Sequence, residues 1–264
     1  MGMSEGVYSN IVMDRKNHVG TITLNYPDPS NTLTSETAKE LNVALVELDN
    51  DETVRVIVIR SSGEAFCAGI DISEFFGKSH KEYLEWVTQL TEQTILVITR
   101  MKKPVIASAH GYCVAYGAGL IAACDLAIAA EGTKIGVSAI NVGLFCMGPA
   151  VPLSRSLGRK RSLEMLMTGD LVDANDAERW GLINKVVHED QLKEATMELA
   201  NKLAEKSPLA LQMGKRAFYC MSDMEFGKAL TYSNEVFASL CVTKDALEGV
   251  DAFLKRRKPV WKGK

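Results

Sequence analysis

Two turns rich in small residues carry the sequence features that could do chemistry. One is "FCAGID" (Phe66 to Asp71) and the other is "GYCVAYGAG" (Gly111 to Gly119), and each follows an apolar stretch and precedes a helix signal. Backbone N–H groups at the start of a helix attract negative charge, and two that converge on one carbonyl oxygen form an oxyanion hole. Such a hole would stabilise a thioester enolate. Because glycine and alanine turns are also common packing devices between a strand and a helix, the residues alone leave both interpretations open.

A repeated order of strand, helix and strand predicts how these turns are positioned. Short β-type runs cover Ile11 to Arg15 and Val19 to Leu24, and an amphipathic helix is expected to begin near Thr34 or Ser35. The run "VRVIVIRSS" is β-branched and nearly continuous, which is typical of a strand buried on both faces. A helical stretch from Lys81 to Met101 then precedes the strand-like "KPVIASAHG". The two turns are therefore expected to follow neighbouring strands.

The last third of the chain has a different pattern. From Glu189 onward the apolar periodicity is purely helical, and helices are expected over Leu209 to Met221 and Met224 to Leu254. The sequence thus predicts an α/β protein with a spiral core over residues 1–195 and a C-terminal helical region over residues 196–264.

Composition excludes several classes of protein. With 264 residues, 47% of them apolar and 24% charged, the chain can bury a substantial core, which excludes a disordered or fibrous protein. A net charge of -3 gives no reason to expect a nucleic-acid partner. The six cysteines form no CxxC pair, no apolar run reaches ~20 residues, and the N-terminus lacks a secretion-type segment. A cytoplasmic protein without a membrane partner is predicted.

Five motifs occur in a fixed order along the chain. They are "NTLTSETAKEL", "FCAGIDI", "KPVIASAHGYCVAYGAGLIAACDLAIAAEGTKIGVSAINVGL", "RSLEMLMTGDLVDANDAERWGLINKVV" and "EGVDAFLKRRKPVW". With these motifs the chain resembles the crotonase superfamily, the enoyl-CoA hydratase and isomerase enzymes, along nearly its whole length. The combination of "NVGLFC" with "KRRKPVW" is similar to one branch of that family whose reaction is poorly defined. The resemblance implies a ββα superhelix whose C-terminal helices build trimers, often paired into hexamers.

The resemblance also implies an acyl-CoA thioester as substrate, with no cofactor apart from the coenzyme A that the substrate carries. By motif position, the oxyanion donors would be the backbone N–H groups of Ala68 and Tyr116. Most relatives have glycine where this chain has Tyr116, so its side chain is a candidate to reshape the acyl pocket. Contacts to coenzyme A are implied for Asn31, Thr32, Leu33, Ala68, Gly69, Ile70, Asp71, Ile72, Phe253 and Lys255.

The last of these positions, Lys255, begins a basic segment, Lys255 to Lys258, and Phe253 lies two residues before it. By the resemblance, the C-terminal helix, often from a neighbouring subunit, supplies an aromatic side chain and a lysine near the adenine and the 3′-phosphate. A charge run is otherwise usually a solvated face, and that alternative stays open.

Both acids that hydratases of this family use are missing. The resemblance implies two glutamates across the bound double bond, and the aligned positions hold Gly119 and Ala139. General acid–base groups contribute about 10²–10⁴-fold each, so an ordinary efficient hydratase is not expected. The chain would be either a lyase or isomerase of this family with other proton-transfer groups, an enzyme of different chemistry such as a decarboxylase or thioester hydrolase, or an acyl-CoA-binding protein with little catalysis.

A few polar side chains near these positions are candidates to replace the glutamates. Cys146 lies just beyond the second glutamate position, and His110 precedes the second turn. A thiol or an imidazole can transfer protons, although a small buried cysteine and a loop-bracing histidine are the commoner roles. Ser138 and Asn141 flank Ala139 and would hold a water or brace the turn.

Other site chemistries lack support in the sequence. The four histidines form no HxxxH or HxH pair, so no metal site is expected. No GxGxxG, GxxxxGK[ST] or GxSxG motif occurs, which argues against nicotinamide, nucleoside triphosphate and serine-hydrolase chemistry. Glu74 is a candidate to face the acyl pocket. The alternative is that Glu74 and Asp71 stabilise the start of a helix, where carboxylates are favoured.

Overall fold

A computed structural model describes residues 8–26, 28 and 30–264 of the chain. The strands in the described part are β1 (Ile11–Lys16), β2 (Val19–Leu24), β3 (Val56–Ser61), β4 (Val105–Ala109), β5 (Tyr112–Val114), β6 (Leu126–Ala130), β7 (Lys134–Gly136), β8 (Leu171–Asp173) and β9 (Lys185–Val187). The helices are α1 (Ser35–Asn50), α2 (His80–Val87), α3 (Gln93–Arg100), α4 (Tyr116–Ala123), α5 (Met147–Thr168), α6 (Ala174–Trp180), α7 (Leu192–Ala204), α8 (Pro208–Met221), α9 (Phe226–Cys241) and α10 (Lys244–Leu254).

Two sheets organise the body. The larger has the order β1-β2-β3-β4-β6-β9, with β1 and β2 antiparallel and the other pairs parallel. The smaller has the order β5-β7-β8. Strand β3 is central, and four of its residues are buried because helices or the second sheet cover both faces. The predicted α/β fold with a helical C-terminal region is confirmed.

The parallel order places the ends of β3 and β4 at one edge of the larger sheet. The chain leaves β3 into the turn Phe66 to Asp71, and it leaves β4 through β5 into α4. Helix α1 covers this region from the core side, with Thr34 as its N-cap and its predicted apolar stripe fully buried. The fold therefore brings the two small-residue turns to the same edge.

Three boundaries differ from the sequence prediction. The turn at Phe66 to Asp71 leads only into a 3₁₀ turn over Ile72–Glu74, because Asp71 accepts from Ser73 N and ends the extended backbone there. The stretch Met224 to Leu254 is two helices, since Thr243 caps the start of α10. The predicted boundary at residue 195 lies inside α7, which packs on the larger sheet; a division into two domains stays a prediction.

A buried ion pair attaches the C-terminal helices to the body. Lys215 on α8 lies 2.6 Å from the carboxylate of Asp125, and its side chain is only 7% exposed. The same carboxylate accepts hydrogen bonds from Tyr219 Oη at 3.0 Å and from Val105 N at 2.7 Å. Every carboxylate oxygen is thus paired, as a buried charge requires. None of the helices in the described part is long and apolar enough to span a membrane.

Breaking this ion pair should loosen the C-terminal helices. Lys215→Met leaves the Asp125 carboxylate without its cation, and we expect the free energy of unfolding to fall by about 3–5 kcal/mol. Lys228→Met, at an exposed position on α9, should change it by less than ~0.5 kcal/mol. Chemical denaturation of both variants measures the difference, and equal stabilities would show that the pair does not hold α8 in place.

Candidate active site

The two turns lie side by side and are joined by backbone hydrogen bonds. Cys67 and Cys113 form a parallel β-bridge, in which Cys67 N donates to Tyr112 O at 3.1 Å and Val114 N donates to Cys67 O at 2.9 Å. This bridge fixes the first turn against the segment that enters α4. The N-terminus of α4 therefore faces the first turn.

Small residues are required at this contact. A Cβ added to Gly117 would collide with the carbonyl group of Cys67, and one added to Gly69 would lie 3.1 Å from Ala115 Cβ and 4.0 Å from Tyr116 N. Gly69 also has φ +112°, which L side chains rarely adopt. The small-residue turns are thus explained by the close approach of two backbones.

One backbone N–H group at this contact belongs to Tyr116. It is the first residue of α4, where backbone N–H groups have no partner within the helix, and in the described part of the chain it has no acceptor. The Tyr116 side chain does not enter an acyl pocket as expected. It is 2% exposed and packs in the core, with its hydroxyl beside Thr94, and burial raises its pKa. Neither hydroxyl makes a hydrogen bond with the residues described.

A second free N–H group is that of Ile70, and the oxyanion role predicted for the N–H group of Ala68 stays a prediction. Ala68 N donates to Ser30 O at 3.0 Å and is therefore occupied. Leu33 pairs with Ile70 in a parallel bridge that uses the neighbours of Ile70 for its hydrogen bonds, so the N–H of Ile70 points to the opposite side. Among residues 8–26, 28 and 30–264, Ile70 N finds no acceptor. Sequence reasoning missed this donor.

The neighbouring segment Asn31 to Leu33 is mostly turned inward. Asn31 is buried, and its Nδ2 donates to Ala65 O at 2.8 Å and also to Ser62 O, which ties this loop to the first turn. Leu33 is buried as well, whereas Thr32 is partly exposed. Contacts from this segment to coenzyme A therefore stay a prediction for Thr32 and the backbone, and the Asn31 amide has a bracing role.

The residues after the first turn differ in what they offer to a ligand. Asp71 caps the 3₁₀ turn, while Ile72 is largely exposed. Glu74 accepts hydrogen bonds from Ser35 N and Oγ, and from Trp86 Nε1 at 3.1 Å, so it links α1 to α2. These hydrogen bonds lower the pKa of Glu74 although burial opposes them. Its carboxylate is occupied by these contacts.

Packing restricts the space at Gly119, where the family resemblance implies a glutamate. Gly119 lies on α4 against α5, and a Cβ added there would be 2.9–3.0 Å from three atoms of Pro149, so these atoms would have to shift. Ala139, where the resemblance implies the second glutamate, lies in the 3₁₀ turn Ser138–Val142, and its carbonyl oxygen accepts from Leu144 N at 3.0 Å. The structure thus explains Gly119 by packing, and Pro149 is a second residue that sequence reasoning missed.

Cys146 is the candidate that the structure brings to this place. It precedes α5, is 8% exposed, and its thiol contacts the Ala139 backbone. Burial raises the pKa of the thiol, and the Ala139 contact offsets that rise only in part. Burial therefore favours the protonated form of the thiol, and a role of Cys146 in proton transfer stays a prediction.

The other polar candidates have structural contacts. His110 Nε2 lies 3.0 Å from Gly63 O, and its ring lines a cavity on the α7 side of the larger sheet. This position is across the sheet from the core, where the contact with Gly63 braces the loop, and a catalytic role of His110 stays a prediction. The amide of Asn141 lies against Gly169, which makes it a brace of the turn, and Ser138 begins that turn.

Phe253 and Lys255 lie at the end of α10, which packs on α8 and α9. Phe253 is 83% exposed, and Lys255 pairs with Asp251 at 2.7 Å. Arg257 pairs with Glu248 and with the same Asp251, so part of the basic segment is neutralised within the chain. A role of this segment in binding coenzyme A stays a prediction. In the described part of the chain, no group of three or more potential metal ligands occurs.

Comparisons with known proteins agree with this geometry. The sequence profile of the family described as Enoyl-CoA hydratase/isomerase matches residues 14–264. The chain is 34% identical over 243 residues to the mitochondrial enoyl-CoA hydratase domain-containing protein 3 of Rattus norvegicus, covering 92% of this chain and 81% of that protein. The relative is mitochondrial by name, and the cytoplasmic location predicted for this chain stays a prediction.

Solved structures agree over nearly the whole chain. An enoyl-CoA hydratase of Mycobacterium smegmatis superposes with a TM-score of 0.91 at 40% identity, covering 96% of this chain and 99% of that one. Human enoyl Coenzyme A hydratase domain-containing protein 3 superposes with a TM-score of 0.92 at 33% identity, covering 96% of this chain and 100% of that one. The branch indicated by the sequence motifs is confirmed, and the chain belongs to the enoyl-CoA hydratase/isomerase family.

Proposed function

We propose that this protein binds an acyl-CoA thioester and stabilises its enolate with the backbone N–H groups of Ile70 and Tyr116. The observation that carries the proposal is that both groups are without an acceptor in the described residues and lie on turns in direct contact. The family to which the chain belongs acts on acyl-CoA thioesters. Two fixed donors aimed at a developing oxyanion are worth most where water is excluded, and they need no reorganisation during the reaction.

Proton transfer in this proposal falls to Cys146. Its protonated thiol lies at the Ala139 backbone, the position where the family resemblance implies a glutamate. When water adds to the β-carbon of an enoyl thioester and releases a proton to solvent, the enolate forms; the thiol would then deliver its proton to the α-carbon, and the resulting thiolate would recover a proton from water. In the reverse direction the thiolate would take the α-proton. The thiol replaces one acid, and the space of the other is taken by Pro149. The chain is thus proposed as a lyase or isomerase with altered acid–base groups.

A second candidate function is acyl-CoA binding without turnover. The observation that favours it is the packing of Pro149 against Gly119, which leaves no space for a carboxylate on α4. The same two N–H groups would then hold a thioester carbonyl oxygen without a reaction following. The two candidates differ in whether the α-proton of a bound thioester exchanges.

The apolar surface of the C-terminal helices supports the expected oligomer. Helices α8 and α9 have no fully buried residue within one chain, and large apolar side chains such as Phe237 and Leu254 are exposed. A patch of this kind is typical of a protein interface. We propose a homotrimer or a dimer of trimers, and a light-scattering mass of three or six times 28.9 kDa would support it, whereas a monomer mass would contradict it.

Exchange of the α-proton tests the proposed function. The wild-type protein in D₂O should exchange the α-protons of butyryl-CoA, followed by NMR, and Cys146→Ala should slow exchange about 10²–10⁴-fold because the group that takes the α-proton and returns a deuteron is lost. Cys220→Ala, at an exposed cysteine on α8, should exchange at the wild-type rate.

The other outcomes of this measurement are also decisive. Calorimetric binding of butyryl-CoA without any exchange would establish the second candidate. Absence of binding would contradict both, since both require the N–H groups of Ile70 and Tyr116 to hold the thioester.

The pH dependence of exchange has a definite sign. Removal of the α-proton requires the thiolate, and burial raises the pKa of the Cys146 thiol, so exchange that depends on Cys146 should be slow at neutral pH and increase as pH rises toward that raised value. The Cys146-dependent rate, taken as wild type minus Cys146→Ala, should therefore increase from pH 6 to pH 10. A Cys146-dependent rate that is flat or falls over this range would argue against the thiol as the exchanging group.

The packing of Gly119 against Pro149 predicts how a substitution at this position changes the free energy of unfolding. Gly119→Ala should lower the free energy of unfolding by about 1–3 kcal/mol, because the new methyl group overlaps Pro149. Gly214→Ala, in the interior of α8 with open space around it, should instead raise it by about 0.4–1 kcal/mol. Denaturant titration of both variants measures the contrast; a stabilised Gly119→Ala would show that the site has space for a side chain.

A further inference from the structure

A cavity of about 250 Å³ lies between the larger sheet and helix α7. It is lined from the sheet by Thr21 of β2, Arg60 of β3 and Ser108 of β4, and His110 closes one side. Arg60 and Ser108 lie toward the carboxyl ends of β3 and β4, the edge where open α/β sheets bind ligands, and Thr21 lies in the middle of β2. The cavity is on the face of the sheet away from the core that holds Tyr116 and α4.

This cavity is more polar than the rest of the interface between the larger sheet and α7. Toward the amino ends of the strands, Val19, Val56 and Ile106 pack against Ala200 and Ala204 of α7. Because side chains alternate along a strand, the hydroxyl and guanidinium groups at the carboxyl ends occupy the same face as these apolar residues. The chain thus has polar groups at sheet positions that would otherwise pack with valine or isoleucine.

Helix α7 also has polar side chains where it borders the cavity. Lys193 lies one turn before Met197 on α7, lines the cavity and is exposed to solvent. Thr196 is buried and its hydroxyl lies 2.9 Å from the hydroxyl of Ser108. Lys193 thus brings a positive charge to the solvent-exposed part of the cavity lining.

The cations that line the cavity keep free donors. Arg60 donates from Nε to Thr23 Oγ1 at 2.9 Å, and in the described residues its two terminal nitrogens have no acceptor. Lys193 makes no ion pair within the described residues. Glu189 also lines the cavity as its one carboxylate, and it is not within ion-pair distance of either cation. The lining therefore carries a net positive charge before any contribution from His110.

We propose that this cavity binds a small doubly charged oxyanion, either inorganic phosphate or a short dicarboxylate. A guanidinium group with both terminal nitrogens free matches the paired oxygens of such an anion, and Lys193 supplies a second charge. The hydroxyl groups of Thr21, Ser108 and Thr196 offer further donors on the same walls. The volume is below the range of about 300–1,000 Å³ that is typical of sites for drug-sized ligands, which favours a small anion.

His110 connects the cavity to the candidate active site. Its ring holds Gly63 O, and its own carbonyl oxygen accepts from Phe66 N at 3.0 Å, so both groups fix the loop that leads to Ile70. An anion beside the His110 ring would therefore touch the residue that positions this loop.

Calorimetry tests this site. The full chain is titrated with sodium phosphate and, separately, with sodium malonate, and sodium chloride at equal ionic strength serves as the control. We expect saturable binding of at least one anion; phosphate alone, malonate alone or both would identify the source. Lys193→Gln should weaken binding about tenfold, the loss of one charge-assisted hydrogen bond. Lys202→Gln removes the same charge from an exposed position on the same helix and should leave binding unchanged.

Three results would overturn the proposal. Absence of saturable binding of either anion at millimolar concentration would mean that the cavity holds water only. Equal weakening by Lys193→Gln and Lys202→Gln would mean attraction to the general surface charge. Binding that survives both Lys193→Gln and Arg60→Gln would place the anion elsewhere, including at a site for the phosphates of coenzyme A.

Discussion

The contact between two backbones, at the bridge of Cys67 with Cys113, is the constraint on which the rest of the site depends. Two strands of one sheet can end at the same edge in many proteins, but here the turns after them approach without side chains between them. Gly117 has no room for a Cβ beside the Cys67 carbonyl group, and Gly69 adopts a conformation that favours glycine. A methyl group at either position would separate the turns and move the N–H groups of Ile70 and Tyr116 apart.

Interactions behind this contact keep α4 in its place. The Tyr116 side chain is anchored in the core while its N–H group stays free, so one residue both fixes the helix start and offers a donor. On the opposite side of α4, Pro149 of α5 packs on Gly119. The space beside Gly119 is thus used for helix packing. A larger side chain at position 119 would therefore need a change in how α4 and α5 meet.

Most polar side chains near the site hold loops in place, and Cys146 is the exception. Asn31, Glu74 and His110 all hold loops by hydrogen bonds, and their side chains are occupied by these contacts. Cys146 differs because its burial raises the pKa of its thiol while keeping it beside Ala139. The C-terminal helices are joined to this body by the Lys215–Asp125 pair and expose their remaining apolar residues.

The sequence by itself determined the element order, the buried strand β3, the apolar stripe of α1, the family and the two turns, because these depend on local periodicity, turn residues and motifs along the chain. Only the tertiary structure decided which N–H groups are free. Ala68 and Ile70 are two residues apart in one turn. The N–H group of Ala68 donates to Ser30 O, whereas the bridge between Leu33 and Ile70 does not use the N–H group of Ile70. It also decided where Tyr116 and His110 point and that Pro149 fills the space beside Gly119. Such facts depend on contacts between residues that are distant in sequence, and no local pattern records them.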